Sequence, residues 1–175
     1  MTRTLRLVTL ASTLAVPLAA QAFNPPRGGP ARSGGTQIGL LGFSARAGVD
    51  VAGNGQFVAA VALDIGNVGL ERVRLRPAAE IGILNGANTY AASFDVLYRF
   101  ADDKQAVTPY AGAGVALAGH AACGSDPGCP GVWVNAAFGV ELRYRSTFNW
   151  VVEYHPMDLF RHNRFYVGLT TRRGS

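Results

Sequence analysis

Two cysteines and a histidine form the most chemically distinctive group in the sequence. Cys123 and Cys129 lie in the polar segment His120–Gly131, which also contains His120. Two thiolates and one imidazole do not complete the four-ligand shell of a structural zinc site. In an exported protein, two closely spaced cysteines favour a disulfide, which would contribute about 2 kcal/mol by closing so small a loop. We therefore predict a Cys123–Cys129 disulfide, no metal site and no cofactor.

A second group could in principle perform acid–base chemistry. Glu153 and His155 fall on the same side of an extended chain, and a carboxylate beside an imidazole is a common general-base arrangement. Catalysis would also need a nucleophile within reach, and the residues of the same face offer none. The charged residues Glu141, Arg143 and Arg164 share this face on neighbouring segments. The simpler interpretation is an ion-pair network, and we predict that the chain is not an enzyme.

The N-terminal residues predict that the protein is exported from the cytoplasm. Arg3 and Arg6 precede an uncharged run that ends in Ala20-Gln21-Ala22, the pattern of a secretory signal peptide over residues 1–22. The run is shorter than the ~20 residues that a membrane-spanning helix needs. Residues 23–36 are rich in Pro and Gly and predict a flexible arm, which leaves 37–173 as the folded domain.

Composition narrows the class of protein further. The 175-residue chain predicts one domain, and it is 49% apolar with only 15% charged residues. Removal of the two leader arginines lowers the formal charge from +5 to +3, and no basic cluster with interleaved aromatics is present. This charge is too weak and too scattered to indicate nucleic-acid binding.

The elements that position these groups are strands. In the segment Val132–His155, apolar side chains alternate with small or charged ones, which is the period of a β-strand. About eight segments repeat this pattern, and no convincing helical stretch interrupts them. They are Leu41–Val51, Gln56–Ile65, Glu71–Leu84, Thr89–Phe100, Thr108–Gly119, the two halves of Val132–His155, and Arg164–Arg172.

The connections carry more specific expectations. A two-residue turn at Asn54-Gly55 would place Asp50 on the apolar face, so we expect a longer or bulged turn there. Pro77 should mark an irregularity, because proline cannot donate to a ladder. We expect a short joint at Arg145–Asn149 and long joints at His120–Gly131 and Pro156–Asn163.

Alternation alone fits both a soluble barrel and a membrane barrel. Three features favour the membrane form, the first being that the polar face is rich in Gly, Ala and Ser, as a narrow barrel interior requires. Charges of both signs on that face nearly balance, as a sealed interior requires. We expect them to form a lumen ion-pair network of Arg74, Arg76, Glu80, Asp95, Arg99, Glu141, Arg143, Glu153 and Arg164.

Aromatic residues at segment ends are the third feature. Rings at both ends of spanning strands form the interfacial girdles of outer-membrane barrels, and segments of ~9–11 residues suffice to cross the hydrocarbon. The predicted girdle consists of Tyr98, Phe100, Tyr144, Trp150, Tyr154 and Phe165.

Three motifs resemble the OmpA/OmpX-like eight-stranded outer-membrane β-barrel proteins. They are Tyr98-Arg99-Phe100, the run Thr108–Gly114 (TPYAGAG), and Gly139–Tyr144. The resemblance extends from Gln37 to Arg172 and implies an all-β, antiparallel, up-and-down transmembrane barrel. It also implies a bacterial outer-membrane location, contact with outer-membrane lipid, and insertion by the barrel-assembly machinery.

The resulting functional hypothesis is a small monomeric barrel with a structural, envelope-integrity or adhesin-like role. The alternatives are a narrow porin-like pore and a soluble, exported, lipocalin-like ligand-binding barrel. Long arginines across so narrow a lumen argue against the pore. Leu159 and Phe160 are apolar residues of the last outer joint, and they either contact an unknown surface partner or rest on the barrel rim.

Overall fold

The chain folds into a closed, eight-stranded antiparallel barrel in the computed structural model, which describes residues 35–51, 55–101, 105–126 and 128–172. The predicted signal peptide and residues 23–34 of the predicted arm lie outside the described residues. The described part contains no helix long and apolar enough to cross a membrane. The strands are β1 (Gln37–Asp50), β2 (Gln56–Asn67), β3 (Val73–Ile83), β4 (Thr89–Arg99), β5 (Val107–His120), β6 (Gly131–Arg143), β7 (Phe148–Met157) and β8 (His162–Thr171).

Each strand pairs with its neighbours in chain order, and β1 pairs with β8 to close the barrel. On β1, Ala47 lies opposite Ala59 of β2 and Val167 of β8. One irregularity in the β1–β2 register falls between Ile38 and Gly42. Because β1 pairs with β8, no strand of the barrel is left as a free edge strand, which is the condition for a sheet to exist in lipid.

Burial alternates along every strand, as the sequence period predicts. In β4, Ser93 and Asp95 point into the barrel, while Phe94 and Val96 are exposed on its outer wall. The exterior is apolar on all sides, and the interior carries the charges. Val61, 60% exposed on the outside, and Glu153, 1% exposed on the inside, show the contrast.

Small residues make room for large polar ones in the interior. A Cβ on Gly139 would come within 2.5 Å of the Tyr110 hydroxyl. A Cβ on Gly114 would lie 2.5 Å from an Asp95 oxygen and 2.8 Å from Asn135 Oδ1. All three distances are far below van der Waals contact, so these two positions require glycine for the charged core to fit.

The β1–β2 and β2–β3 ladders agree with two expectations from the sequence. Phe57 lies opposite Val49, and Asp50 lies opposite Gln56, so the turn near Asn54-Gly55 is longer than two residues. The β2–β3 ladder ends at the pair Ala62–Ala78 and does not reach Pro77, the next residue of β3 along the ladder. On its other side, β3 stays paired with β4 through Pro77. The missing proline N–H thus interrupts one side of the strand only.

The expectation of a long joint at Pro156–Asn163 is wrong. Pro156 lies opposite Asn163 and Met157 lies opposite His162, so both strands continue and only residues 158–161 connect them. The β6–β7 ladder shows no pairing at Pro156, between the pairs Asn135–Met157 and Phe138–Tyr154. A proline can lie within a strand when the strand is unpaired on one of its two hydrogen-bonding sides, so this segment is extended and does not form a loop.

Candidate functional site: the charged lumen and the outer turn

The centre of the lumen is organised around Glu153 on β7. Its carboxylate accepts hydrogen bonds from the guanidinium groups of Arg46 on β1 and Arg76 on β3. The hydroxyl of Tyr110 on β5 donates to Glu153 Oε2 at 2.5 Å. Arg76 also donates to Asp95 on β4, from Nε at 3.1 Å and from Nη2 at 2.9 Å. The Glu153 carboxylate therefore connects β7 to three strands, β1, β3 and β5, none of which is its neighbour in the barrel.

A histidine and an asparagine extend this group toward the end of the barrel that carries the β5–β6 and β7–β8 connections, which we call the outer end. Asn135 Nδ2 donates to Asp95 Oδ1 at 2.8 Å and lies 2.9 Å from His155 Nε2. Since an amide nitrogen cannot accept, this arrangement assigns His155 Nε2 as the acceptor and places its proton on Nδ1. His155 Nδ1 faces Glu80 Oε1 at 3.2 Å, although the pair is not aligned as a hydrogen bond.

Glu80 and Arg164 complete the group near the outer mouth. Arg164 Nη1 donates to Glu80 Oε2 at 2.5 Å, and the Tyr166 hydroxyl donates to the same oxygen at 2.9 Å. Arg164 Nε reaches Asp50 Oδ2 at 3.3 Å, and His162 Nδ1 lies 2.9 Å from that oxygen. We refer to the charged residues of this half of the lumen as the central cluster: Arg46, Asp50, Arg76, Glu80, Asp95, Glu153, His155 and Arg164.

A second group fills the inner end of the lumen. Glu141 accepts from Arg74 Nη1 at 3.4 Å, from Arg99 Nη2 at 3.2 Å and from Asn149 Nδ2 at 3.2 Å. Arg74 also lies 3.5 Å from Asp64. We refer to Asp64, Arg74, Arg99 and Glu141 as the inner cluster. Its contacts are longer than most of those in the central cluster, and its side chains retain a little more solvent exposure.

The two clusters contain eight of the nine residues predicted for the lumen network. Arg143 is the exception, because it is the last residue of β6 and is exposed at the inner rim. Glu153 and Arg164 both lie in the central cluster but do not pair directly, since each meets partners from other strands. The predicted residues thus form two groups rather than one continuous pairing of neighbouring strands.

Several neutral residues of the lumen were missed by reasoning on charges alone. Tyr110 and Tyr166 donate to central carboxylates, and Asn135 and Asn149 bind Asp95 and Glu141. All four fall on the inward parity of their strands, so the period of two already marks them as lumen residues. Their role as donors becomes evident only when the register brings them beside a carboxylate.

The predicted aromatic girdle divides into two sets. The first set lies at the inner end of the barrel. Tyr98, near the end of β4, packs on Phe100, which follows that strand. Tyr144, just after β6, packs on Trp150, near the start of β7. Tyr154 and Phe165 instead lie opposite one another within β7 and β8, stacked at 4.9 Å. The Tyr154 hydroxyl donates to Asn163 Oδ1 at 2.6 Å, which holds this second set on the outer wall near the β7–β8 connection.

The cysteines form the predicted disulfide, Cys123–Cys129, within the connection between β5 and β6. A 3₁₀ turn at Cys123–Ser125 lies inside the bridged segment. His120 lies 3.5 Å from Asp126. In the described residues no group of three or more His, Cys, Asp or Glu side chains is arranged to hold a metal.

The turn between β7 and β8 displays Leu159 and Phe160 at the same end of the barrel. Their exposed fractions are 81% and 64%. Asp158, Leu159 and Phe160 all have left-handed backbone angles, with φ of 49°, 51° and 68°. Such angles cost roughly 1–2 kcal/mol for each residue with a side chain. The conformation is fixed by hydrogen bonds from Arg161 N to Asp158 O at 3.1 Å and from Asn163 Nδ2 to Phe160 O at 2.8 Å.

Comparisons with known proteins agree with this architecture. No family model and no curated protein matches the sequence. The N-terminal barrel of Pseudomonas aeruginosa OprF superposes with a TM-score of 0.52 at 15% identity, over 76% of this chain and 96% of that one. The Neisserial surface protein NspA has a TM-score of 0.52 at 12% identity, over 77% of this chain and 95% of that one.

A designed transmembrane β-barrel is similar as well, with a TM-score of 0.51 at 13% identity over 78% of this chain and 98% of the design. At such identities the likeness concerns the fold alone. The resemblance predicted from the sequence is confirmed in its architecture: the chain has the eight-stranded fold of OmpA/OmpX-type outer-membrane barrels.

Proposed function

We propose that the protein is a small, non-conducting barrel of the bacterial outer membrane with a structural role in the envelope. The two clusters of buried ion pairs across the lumen carry this proposal. Glu153, His155 and Arg164 are at most 1% exposed, and their partners come from strands around the whole barrel. An apolar exterior and a lumen filled with ion pairs suit a barrel embedded in a membrane. A soluble ligand-binding barrel would instead have an apolar cavity.

Conductance measurements test the plugged lumen. Because buried ion pairs fill the cross-section, the protein reconstituted in planar bilayers should give no steady single-channel steps. A double variant, Arg46→Ala with Arg76→Ala, removes the two guanidinium groups that cross to Glu153. It should conduct if it folds. Steady steps from the unaltered protein would favour the porin-like alternative.

Cell fractionation tests the location. The proposal predicts that the protein remains with the outer membrane and requires detergent for release. Its migration on gels should change on heating, as the closed barrel unfolds only when boiled. Recovery in the periplasmic fraction without detergent would instead support the soluble, exported barrel.

A second role, contact with a surface partner, is favoured by the outer turn. Leu159 and Phe160 adopt angles that Asn-Gly would adopt at far lower cost, so the apolar pair occupies strained positions. Strained, exposed residues occur most often where function requires them. We propose that this turn and the neighbouring disulfide-closed segment form the contact surface, with no enzymatic activity involved.

Replacing the pair tests this second role. Leu159→Asn with Phe160→Gly should stabilise the barrel by roughly 1–2 kcal/mol, because the strain is relieved. The same variant should lose adhesion of the expressing cells. Arg161→Gln is a matched control, since Arg161 is exposed in the same turn but is polar. Unchanged adhesion in a folded Asn-Gly variant would exclude the turn as the contact surface.

A further inference from the structure

Charge is distributed unevenly among the connections at the inner end of the barrel. Two of them contain acidic residues beside basic ones: Glu71 with Arg72 between β2 and β3, and residues 102–104 (Asp-Asp-Lys) between β4 and β5. The β6–β7 connection, residues 144–147 (Tyr-Arg-Ser-Thr), contains Arg145 and no acidic residue. Among the inner connections, this one alone carries positive charge with no acidic residue in its own segment.

Arg145 is held at the inner aromatic girdle. Its guanidinium carbon lies 5.3 Å from the centre of the Tyr144 ring, and that ring packs on Trp150 at 5.9 Å. Both rings are exposed on the barrel wall, and Tyr and Trp concentrate at the depth of the lipid headgroups. Arg145 is itself exposed, and it forms no ion pair with a carboxylate of the described residues. A cation without a counter-charge is thus positioned at headgroup depth.

A second arginine lies on the same connection. Arg172, which follows β8, donates from Nη1 to the carbonyl oxygens of Ser146 at 3.3 Å and of Arg145 at 3.4 Å. Its backbone N–H donates to the carbonyl oxygen of Thr147 at 2.9 Å. Ser146 and Thr147 are exposed, and their hydroxyls add two neutral donors. We refer to Arg145, Ser146, Thr147 and Arg172 as the basic turn.

The donors of the basic turn identify its ligand. Guanidinium groups form charge-assisted hydrogen bonds to phosphate oxygens, and one planar guanidinium can offer two donors to a single phosphate group. At the depth of the girdle, the phosphates within reach belong to lipid headgroups. A zwitterionic headgroup also brings a cation, which the arginines repel, whereas a headgroup with net negative charge does not.

We propose that the basic turn binds the headgroup of an anionic phospholipid in the inner leaflet of the membrane. The inference rests on the proposed membrane location of the barrel. It adds a preference for one class of lipid at one place on the wall. Because both arginines lie on the closing hairpin β7–β8 and its entry turn, a bound headgroup would contact β6, β7 and β8 together.

Brominated lipids test the proposal through tryptophan fluorescence. Trp150 lies on the wall beside the basic turn, whereas Trp133 packs against Ala91, Ala116, Ala118 and Met157 inside the barrel. Two vesicle samples contain phosphatidylcholine and phosphatidylglycerol in the same ratio, with an equal amount of either one or the other carrying bromine on its chains. Phosphatidylglycerol should quench Trp150 more strongly than phosphatidylcholine does, and added salt should reduce the difference.

Arg145→Gln should lower the relative affinity for phosphatidylglycerol about fivefold, the contribution of one arginine near an anionic surface. Arg172→Gln should have an effect of the same order. Arg72→Gln is the matched control, because it removes an arginine at the same end of the barrel from a connection that also contains Glu71. It should leave the preference unchanged.

Equal quenching by the two lipids in the unaltered protein would overturn the proposal, as would an unchanged preference in a folded Arg145→Gln variant. An equal loss in Arg72→Gln would do so too, because the preference would then reflect the overall charge of the inner end. Loss of the preference on addition of inorganic phosphate at constant ionic strength would identify a free anion as the ligand and overturn the lipid assignment.

The same measurement separates failure of this inference from failure of the proposed function. Absence of Trp150 quenching by either lipid would contradict the membrane location itself. Equal quenching by both would leave the barrel in the membrane but without an anionic lipid site. If a variant does not fold, the comparison of the two lipids in the unaltered protein decides.

Discussion

The central and inner clusters use the same residue types but differ in how tightly they are connected. Glu153 receives two guanidinium groups and a phenol hydroxyl, and Glu80 receives a guanidinium and a second phenol. Glu141 accepts from two arginines and an amide at 3.2–3.4 Å. Neutral donors and short contacts compensate the desolvation of charge at the centre, whereas the inner end borders an exposed rim.

Removal of the central carboxylate should produce the largest effect. Glu153→Gln leaves Arg46 and Arg76 buried without their shared counter-charge, and breaking a buried pair in this way costs roughly 3–5 kcal/mol. Urea unfolding in detergent, followed by tryptophan fluorescence, measures the loss. Glu71→Gln, at an exposed turn position, serves as the control and should stay within about 0.5 kcal/mol. A loss below 1 kcal/mol at Glu153 would contradict the tight central cluster.

Loss of a single neutral donor should have an intermediate effect. Tyr110→Phe removes the hydroxyl that donates to Glu153 at 2.5 Å, and a hydrogen bond to a charged group contributes roughly 1.5–3 kcal/mol. The same unfolding measurement applies. Tyr98→Phe removes a hydroxyl on the outer wall and should change stability little. Equal effects of the two substitutions would show that the lumen hydroxyl has no special role.

The inner cluster should be the least sensitive. Glu141→Gln should lower the free energy of unfolding by only about 1–2 kcal/mol, because Arg74 keeps Asp64 and a buried neutral amide still accepts a hydrogen bond. The comparison is sharpest when Glu141→Gln and Glu153→Gln are measured under identical conditions. A larger loss at Glu141 than at Glu153 would reverse the ranking of the two clusters.

The sequence predicts the barrel well because its information is periodic. A repeat of two residues assigns each side chain to the wall or the lumen, so Glu153 and Arg76 are identified before any contact is known. Partner identity depends instead on the register between strands, which places Arg164 beside Glu80 rather than Glu153. Arg143 has the inward parity but ends its strand at the rim, and parity carries no information on depth.

Pro156 led the prediction from the sequence to a wrong result. Pro156 is typical of a loop in the sequence, yet it lies within β7 because the β8 side of the strand stays paired. The left-handed angles of Leu159 and Phe160 could not be foreseen either. Neither residue type favours such a turn, and only the tight connection at residues 158–161 imposes it.

The shortness of that connection limits what a cell surface could display. At the end of the barrel that we assign to the exterior, residues 84–88 and 158–161 form brief links, and the longest link, residues 121–130, is closed on itself by the Cys123–Cys129 bond. A protease acting on intact cells would find few extended stretches to cleave in these three links. An inserted epitope tag would be tolerated best beside the bridged cysteines, where added chain would leave the strand register undisturbed.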